Sequence, residues 1–183
     1  MSDTPCLFRS VNEALTFAYR YQAQQLPRTP MQRLYKRPGE EQGADKGLHG
    51  VDGAGQAGMI LNAIDRLPGE MRQVLVVRYG DVREECACCH QPAPTQRWLD
   101  AVEELSRCKE LEGLPKRVRR AAIERALHSR KWDAARLSAI FGLSERTLRH
   151  QAKCLRERFA KVERQALQLL DEDFRRQPGM LPE

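Results

Sequence analysis

Apolar residues along this chain recur mostly at intervals of three and four, the period of a helix with one buried face. Ser10-Val11-Asn12-Glu13 is a capping-box signature, and Val11, Ala14, Leu15 and Ala18 continue a stripe behind it. A helix is therefore expected over about residues 10–25, within an N-terminal segment 1–26. Phe17, Tyr19 and Tyr21 lie on further sides of it, which fits docking onto a core. The period returns at Met59, Ile60, Ala63, Ile64 and Leu67 and breaks at Pro68-Gly69. Proline suits a first helical turn, where its missing N–H has no intrahelical partner to lose, so a new helix carries Met71, Val74, Leu75 and Val77 until Gly80. Val74-Leu75-Val76-Val77 is β-branched enough for a strand, but no partner strand is visible and it reads as buried helix. Thr95 is placed to cap a helix with Trp98, Leu99, Val102, Leu105 and Leu111 on its stripe, closed by Gly113. Pro115 opens the next, with Val118, Ala122 and Leu127 inward, and Asp133 offers another cap. The expected fold is all-α.

Residues 132–160 carry a more specific pattern. A helix-turn-helix needs a small residue in its first helix, a turn residue that tolerates a left-handed backbone, and apolar residues that lock the two helices together. Gly142 fits the turn and Ser138 the tight crossing, with Leu137, Ile140, Phe141, Leu143 and Leu148 at locking positions. Gln151 breaks the pattern where an apolar residue is usual, and Ala152 and Leu155 are expected to take over its packing. Ser144 can cap the second helix, whose outer face presents Glu145, Arg146, Thr147, Arg149, His150 and Lys153 to a major groove. Arg146 and Arg149 suit bidentate bonds to guanine, whereas Lys153, Arg156, Arg119 and Arg120 suit phosphates.

Charge sharpens this picture. The 183 residues carry a formal net charge of +6, but residues 114–165 alone hold fifteen Lys/Arg against five Asp/Glu, a net +10. Concentrated basic charge over a helix-turn-helix pattern is the footprint expected for double-stranded DNA; the plain alternative is a solvated helical surface. No apolar run is long enough to cross a bilayer and no signal-peptide pattern opens the chain, so no membrane partner and a cytoplasmic location are expected.

From Pro27 to Gly58 the helical period dissolves into prolines and then glycines, the composition of a flexible linker. These glycines do not make a phosphate-binding loop, because no strand precedes them and no Gly-Lys-Ser/Thr follows. Cys86-Ala87-Cys88-Cys89-His90 contains a Cys-x-x-Cys pair. Cys86, Cys89 and Cys108, completed by His90 or Cys88, make one candidate zinc set. Burial of Cys108 beside Leu105 and Leu111 explains that residue without metal, and a redox role is a third reading. No nucleophile with a base, carboxylate pair in an apolar setting or acidic metal cluster stands out, and an enzyme is not expected. Asp171-Glu172-Asp173 reads as part of a solvated end, with residues 177–183 a tail.

Arg66–Asp81, RLPGEMRQVLVVRYGD, resembles the first half of sigma region four, the promoter-recognition domain of bacterial sigma factors, and GLSERTLRHQAKCLRERF resembles its second half. In sigma factors the halves are nearly contiguous; here roughly fifty residues, about 82–130, stand between them. With the opening SVNEALTFAYRY and the cysteine-bearing insert, the chain resembles the phage Q-type transcription antitermination proteins, including relatives that switch on lysis cassettes in bacterial chromosomes. The resemblance implies a sigma-like helix-turn-helix domain over 59–176, with a helical insertion, that binds DNA near a promoter. It further implies loading onto a paused RNA polymerase holoenzyme, sigma factor included, and readthrough of terminators. On this likeness Arg72, Arg78 and Tyr79 are candidates for polymerase or sigma contact. A conventional activator or repressor acting only at initiation is the competing expectation.

Overall fold

A computed structural model describes residues 6–25, 50–80, 84–86, 88–89, 91–128 and 133–182. Among them are seven α-helices: α1 (Val11–Gln25), α2 (Gly50–Asp65), α3 (Gly69–Tyr79), α4 (Gln96–Leu105), α5 (Lys116–His128), α6 (Ala134–Phe141) and α7 (Glu145–Arg175). The all-α expectation holds. A two-residue antiparallel ribbon, β1 (Glu84–Glu85) with β2 (Pro92–Ala93), is the small addition that periodicity did not reveal; Glu84 stands opposite Ala93 and Glu85 opposite Pro92. The chain divides into two compact units, one from residues up to Arg66 together with Leu169 onward, the other from Leu67 to Gln168. This differs from a continuous domain over 59–176, and the division falls inside α7.

In the first unit α1 packs on α2. Ser10 Oγ accepts from Glu13 N at 3.3 Å, half of the expected capping box, while Glu13 accepts from Arg9 N at 2.6 Å, one residue earlier than the box predicts. Leu15 and Ala18 are buried, as are Phe17, Tyr19 and Tyr21. The predicted linker 27–58 is corrected at its end: Gly50–Gly58 is the first half of α2. Its residues 27–49 lie outside the described residues. Gly53, Ala57, Ile60 and Ile64 recur at helical spacing and are all buried, so the small residues form one narrow stripe against which a neighbouring helix can come close. Met59, expected on the stripe, is instead half exposed. The predicted tail is corrected too. Gly179, at φ 75°, turns the chain so that Leu7 N donates to Gly179 O at 2.8 Å and Phe8 N to Met180 O at 3.1 Å. Met180 and Leu181 are consequently buried, in the same unit as Phe8 and Phe174.

The second unit is built around α3. Val74, Leu75, Val76 and Val77 are all buried, which is the environment a fully apolar helical turn demands. Trp98, Ala101, Val102 and Leu105 face in from α4, and Val118, Ala122, Ile123 and Leu127 from α5. Thr95 Oγ1 caps α4 by accepting from Trp98 N at 3.2 Å. The helix ends at Leu105, earlier than predicted, and a 3-10 turn at Lys109–Leu111 buries Leu111 before Gly113 turns the chain at φ 77°. From α7, Leu148, Leu155 and Phe159 are fully buried.

Ion pairs fix the rotation of α7 in this unit. Arg158 reaches Glu70 at 2.8 Å and Glu110 at 2.6 Å, and its guanidinium holds the Glu110 carboxyl below the usual carboxylate range. Glu163 accepts from the Tyr79 hydroxyl at 3.2 Å and pairs with Arg78 Nε at 3.5 Å. Burial, and then the neighbouring Glu163 charge, push the Tyr79 phenol up from its ordinary 10.0 to about 12. The folded state thus holds this proton more tightly than the unfolded chain does. Its stabilising contribution is complete below about pH 10 and lost as pH rises toward about 12. Urea midpoints of the native protein should fall more steeply across that window than those of Tyr79→Phe; parallel slopes would remove Tyr79 from the account.

Candidate nucleic-acid interface

A helix, a glycine turn and a second helix form where the pattern placed them. Asp133 caps α6 by accepting from Arg136 N at 2.9 Å. Gly142 adopts φ 66°, ψ 24° and donates to Ser138 O at 2.9 Å, so the chain reverses through the left-handed conformation that favours glycine. Leu148 N donates to Ser144 O at 3.0 Å, which starts α7 directly after Ser144. Of the predicted locking residues, Leu148 is buried and Leu137, Phe141 and Leu143 are half-buried. Ile140 is corrected: it is 60% exposed, because on so short a helix the inner face is already filled by Ala134 and Leu137.

Along α7 the inner stripe Leu148, Leu155 and Phe159 leaves Arg146, Thr147, Arg149, His150, Lys153 and Arg156 exposed, with Ser144 exposed just ahead of them. Glu145, half-buried in the first turn, suits the positive end of the helix dipole and pairs with Arg149 at 2.8 Å, four residues on. Lys153 stands 3.9 Å from Glu157. These pairs are exposed and local, the kind that contributes about 0.3–0.5 kcal/mol, so an arriving phosphate or base can displace them. Arg146 and Arg156 have no ion pair among the described residues. His150 Nε2 lies 3.6 Å from Cys154 Sγ.

Two further residues assigned to phosphate contact are occupied elsewhere. Arg119 donates to the carbonyls of Leu114 at 2.6 Å and Ser106 at 3.4 Å, tying α5 to the turn before it. Arg120 pairs with Glu124 at 2.9 Å and lies over the Trp98 ring at 5.0 Å. The candidates on α3 divide similarly. Arg78 donates to the Leu127 carbonyl at the end of α5 as well as facing Glu163, and Tyr79 donates to Glu163; Arg72 is half-buried. Sequence reading missed Arg125, which lines a cleft with Arg149, Lys153 and Arg156. Its only sequence signal is membership of the basic block.

The cysteines are regrouped by the ribbon. Cys86 N donates to Gln91 O at 2.9 Å, closing a turn that gathers the thiols of Cys86, Cys88 and Cys89 within 4.8 Å of one another. Cys86 and Cys88 sulfurs are 3.0 Å apart. The Cys88 thiol and then the N–H groups of Cys88 and Cys89 pull Cys86 down to about 6. Cys108 is not in this group: it is half-buried, with burial and then Glu110 raising its pKa. A metal set through Cys108 is therefore replaced by Cys86, Cys88 and Cys89, a group with the donor chemistry to hold a metal ion. His90 lies outside the described residues. No described helix is long and apolar enough to cross a membrane. No protein-family model matches the chain, and a search of curated proteins finds no match.

The departure from pattern at Gln151 leaves a polar atom inside: the residue is half-buried, and its Oε1 is buried with no hydrogen-bond partner among the described residues. An unsatisfied buried polar group costs about 1–3 kcal/mol. Gln151→Leu should therefore raise the unfolding free energy by about 1 kcal/mol in urea denaturation. A lower value would mean that the amide is solvated or that the site is too small for leucine.

Proposed function

We propose that this protein is a transcription antitermination factor. In this reading a sigma-like helix-turn-helix binds promoter-proximal duplex DNA, loads onto a paused RNA polymerase holoenzyme with its sigma factor, and promotes readthrough of downstream terminators. The observation that carries the DNA-binding part is the outward, positively charged start of α7 behind the Gly142 turn, with Arg146, Thr147, Arg149, His150 and Lys153 exposed together. A fold that needed those arginines internally would have supplied carboxylates from other elements, as it does for Arg158. The readthrough part rests on the split sigma-like pattern of residues 66–81 and 142–159. Engagement of Arg78 and Tyr79 with Glu163 gives both a role in the fold that needs no polymerase.

A factor confined to initiation would use the same reading helix. The two part on a template with a terminator far downstream, transcribed in a single round so that initiation is fixed. Readthrough that persists is the expected result; an effect only on the number of transcripts started rejects antitermination. In the same system Arg149→Ala should weaken specific binding by about 1–3 kcal/mol, and an equal loss on every sequence would make it a phosphate contact.

For the thiol group the reading is a structural zinc held by Cys86, Cys88 and Cys89 with a fourth ligand. Zinc would cross-link the turn of the ribbon. Purified protein should contain about one zinc per chain. Cys88→Ser should lower that content; undiminished zinc in this variant would exclude Cys88 from the set.

A further inference from the structure

The three thiols gathered by the ribbon are not equivalent. Cys86 N donates to Gln91 O at 2.9 Å directly beyond the paired residues Glu85 and Pro92, and this bond closes the turn that carries them. All three sulfurs lie within 4.8 Å of one another, but Cys86 Sγ and Cys88 Sγ are 3.0 Å apart. A disulfide holds its sulfurs at about 2.05 Å, so a closure of about 1 Å separates this contact from a covalent bond. Access is open as well, since Cys88 and Cys89 are exposed and Cys86 is half-buried.

The other cysteines stand apart from this arrangement. Cys108 is half-buried beside the Glu110 carboxyl, Cys154 has His150 Nε2 as its neighbour at 3.6 Å, and Cys6 belongs to the first unit. Two sulfurs in contact, one of them exposed, form a dithiol that a small disulfide can reach and oxidise by exchange.

We propose that Cys86 and Cys88 are a thiol–disulfide couple that exchanges with low-molecular-weight disulfides such as oxidised glutathione. One of the two sulfurs, as thiolate, attacks a sulfur of the small disulfide. That S–S bond breaks, a mixed disulfide forms, and the departing half takes up a proton to leave as a thiol. The second cysteine sulfur, already in contact, gives up its proton, attacks the first and expels the other half in the same way. Two electrons and two protons pass to the small disulfide, which ends as two thiols, while the two protein sulfurs end as one disulfide. This step goes beyond the zinc reading and does not need it. Metal and disulfide compete for the same sulfurs, so oxidation leaves Cys89 as the one free donor of the three.

The test uses full-length protein, stripped of metal with a chelator, incubated with oxidised glutathione, alkylated and cleaved with trypsin. Cys86, Cys88 and Cys89 fall in one fragment, residues 84–97, between Arg83 and Arg97. That fragment should lose two of its three alkylatable thiols to an internal disulfide, and dithiothreitol should restore them. Cys86→Ser and Cys88→Ser should each stop at the glutathione adduct, whereas Cys89→Ser should keep the internal bond. An internal disulfide that survives in Cys88→Ser or vanishes in Cys89→Ser overturns the pairing, as does a native fragment that forms none. Native protein should also close the bond faster than protein held in concentrated urea. Equal rates would mean that sequence spacing alone brings the sulfurs together, which overturns the role given to the ribbon. The zinc content of untreated protein is read separately: a metal-free preparation rejects the zinc reading and leaves the disulfide result standing.

Discussion

Arg158 holds the middle of α7 in a single rotational setting, and the outward exposure of the basic residues at the start of that helix depends on it. Its guanidinium meets Glu70 at the start of α3 and Glu110 in the turn beyond α4, while Leu155 and Phe159, on either side of it, are fully buried. Burying such side chains contributes about 1.5–3 kcal/mol each, well above a partly exposed ion pair. The apolar stripe therefore anchors the helix, and the directional charge contacts decide which way it faces. A helix so held has no freedom to turn its first basic residues inward. Their exposure follows from packing farther along the same helix.

The arginines illustrate how one residue type is put to two uses. Those at positions 78, 119, 120 and 158 bind carbonyls, carboxylates or an aromatic face within the second unit. Those at 146, 149 and 156 stand exposed on the surface of the same unit. The stretch with a net charge of +10 thus overstates the surface available to a nucleic acid, since part of its charge is neutralised by structure. Arg119 and Arg120 sit in that stretch with nothing in their spacing to separate them from Arg146 and Arg156. Only the positions of Leu114, Ser106, Glu124 and Trp98, which the chain brings near by folding, make the difference.

Features written in local chemistry were the ones legible in the sequence. Thr95 and Asp133 cap their helices because a short side-chain oxygen reaches an N–H three residues on, and Gly142 turns left-handed because it lacks a Cβ. The stripes of α3, α4 and α5 follow from period alone. Gly50–Gly58 has the composition of a linker because glycine disfavours an isolated helix; burial of Gly53 and Ala57 in the packed unit outweighs that preference. The C-terminal residues look like a tail in sequence because their partners, Leu7 and Phe8, lie at the other end of the chain. Cys108 enters the candidate metal set only as a further cysteine, without the short spacing of a second ligand pair, whereas the ribbon that gathers Cys86, Cys88 and Cys89 depends on two-residue strands too short to leave a periodic trace.

Arg78 also says something about the stretch that holds α4 and α5. It stands ahead of that stretch, yet it closes the far end of α5 by donating to the Leu127 carbonyl, and Arg158, beyond it, finds Glu110 within it. The two helices are thus sewn at both margins to the elements before and after them. Trimming them away would unfasten α3 and α7 as well, so their presence is a condition of the unit's integrity.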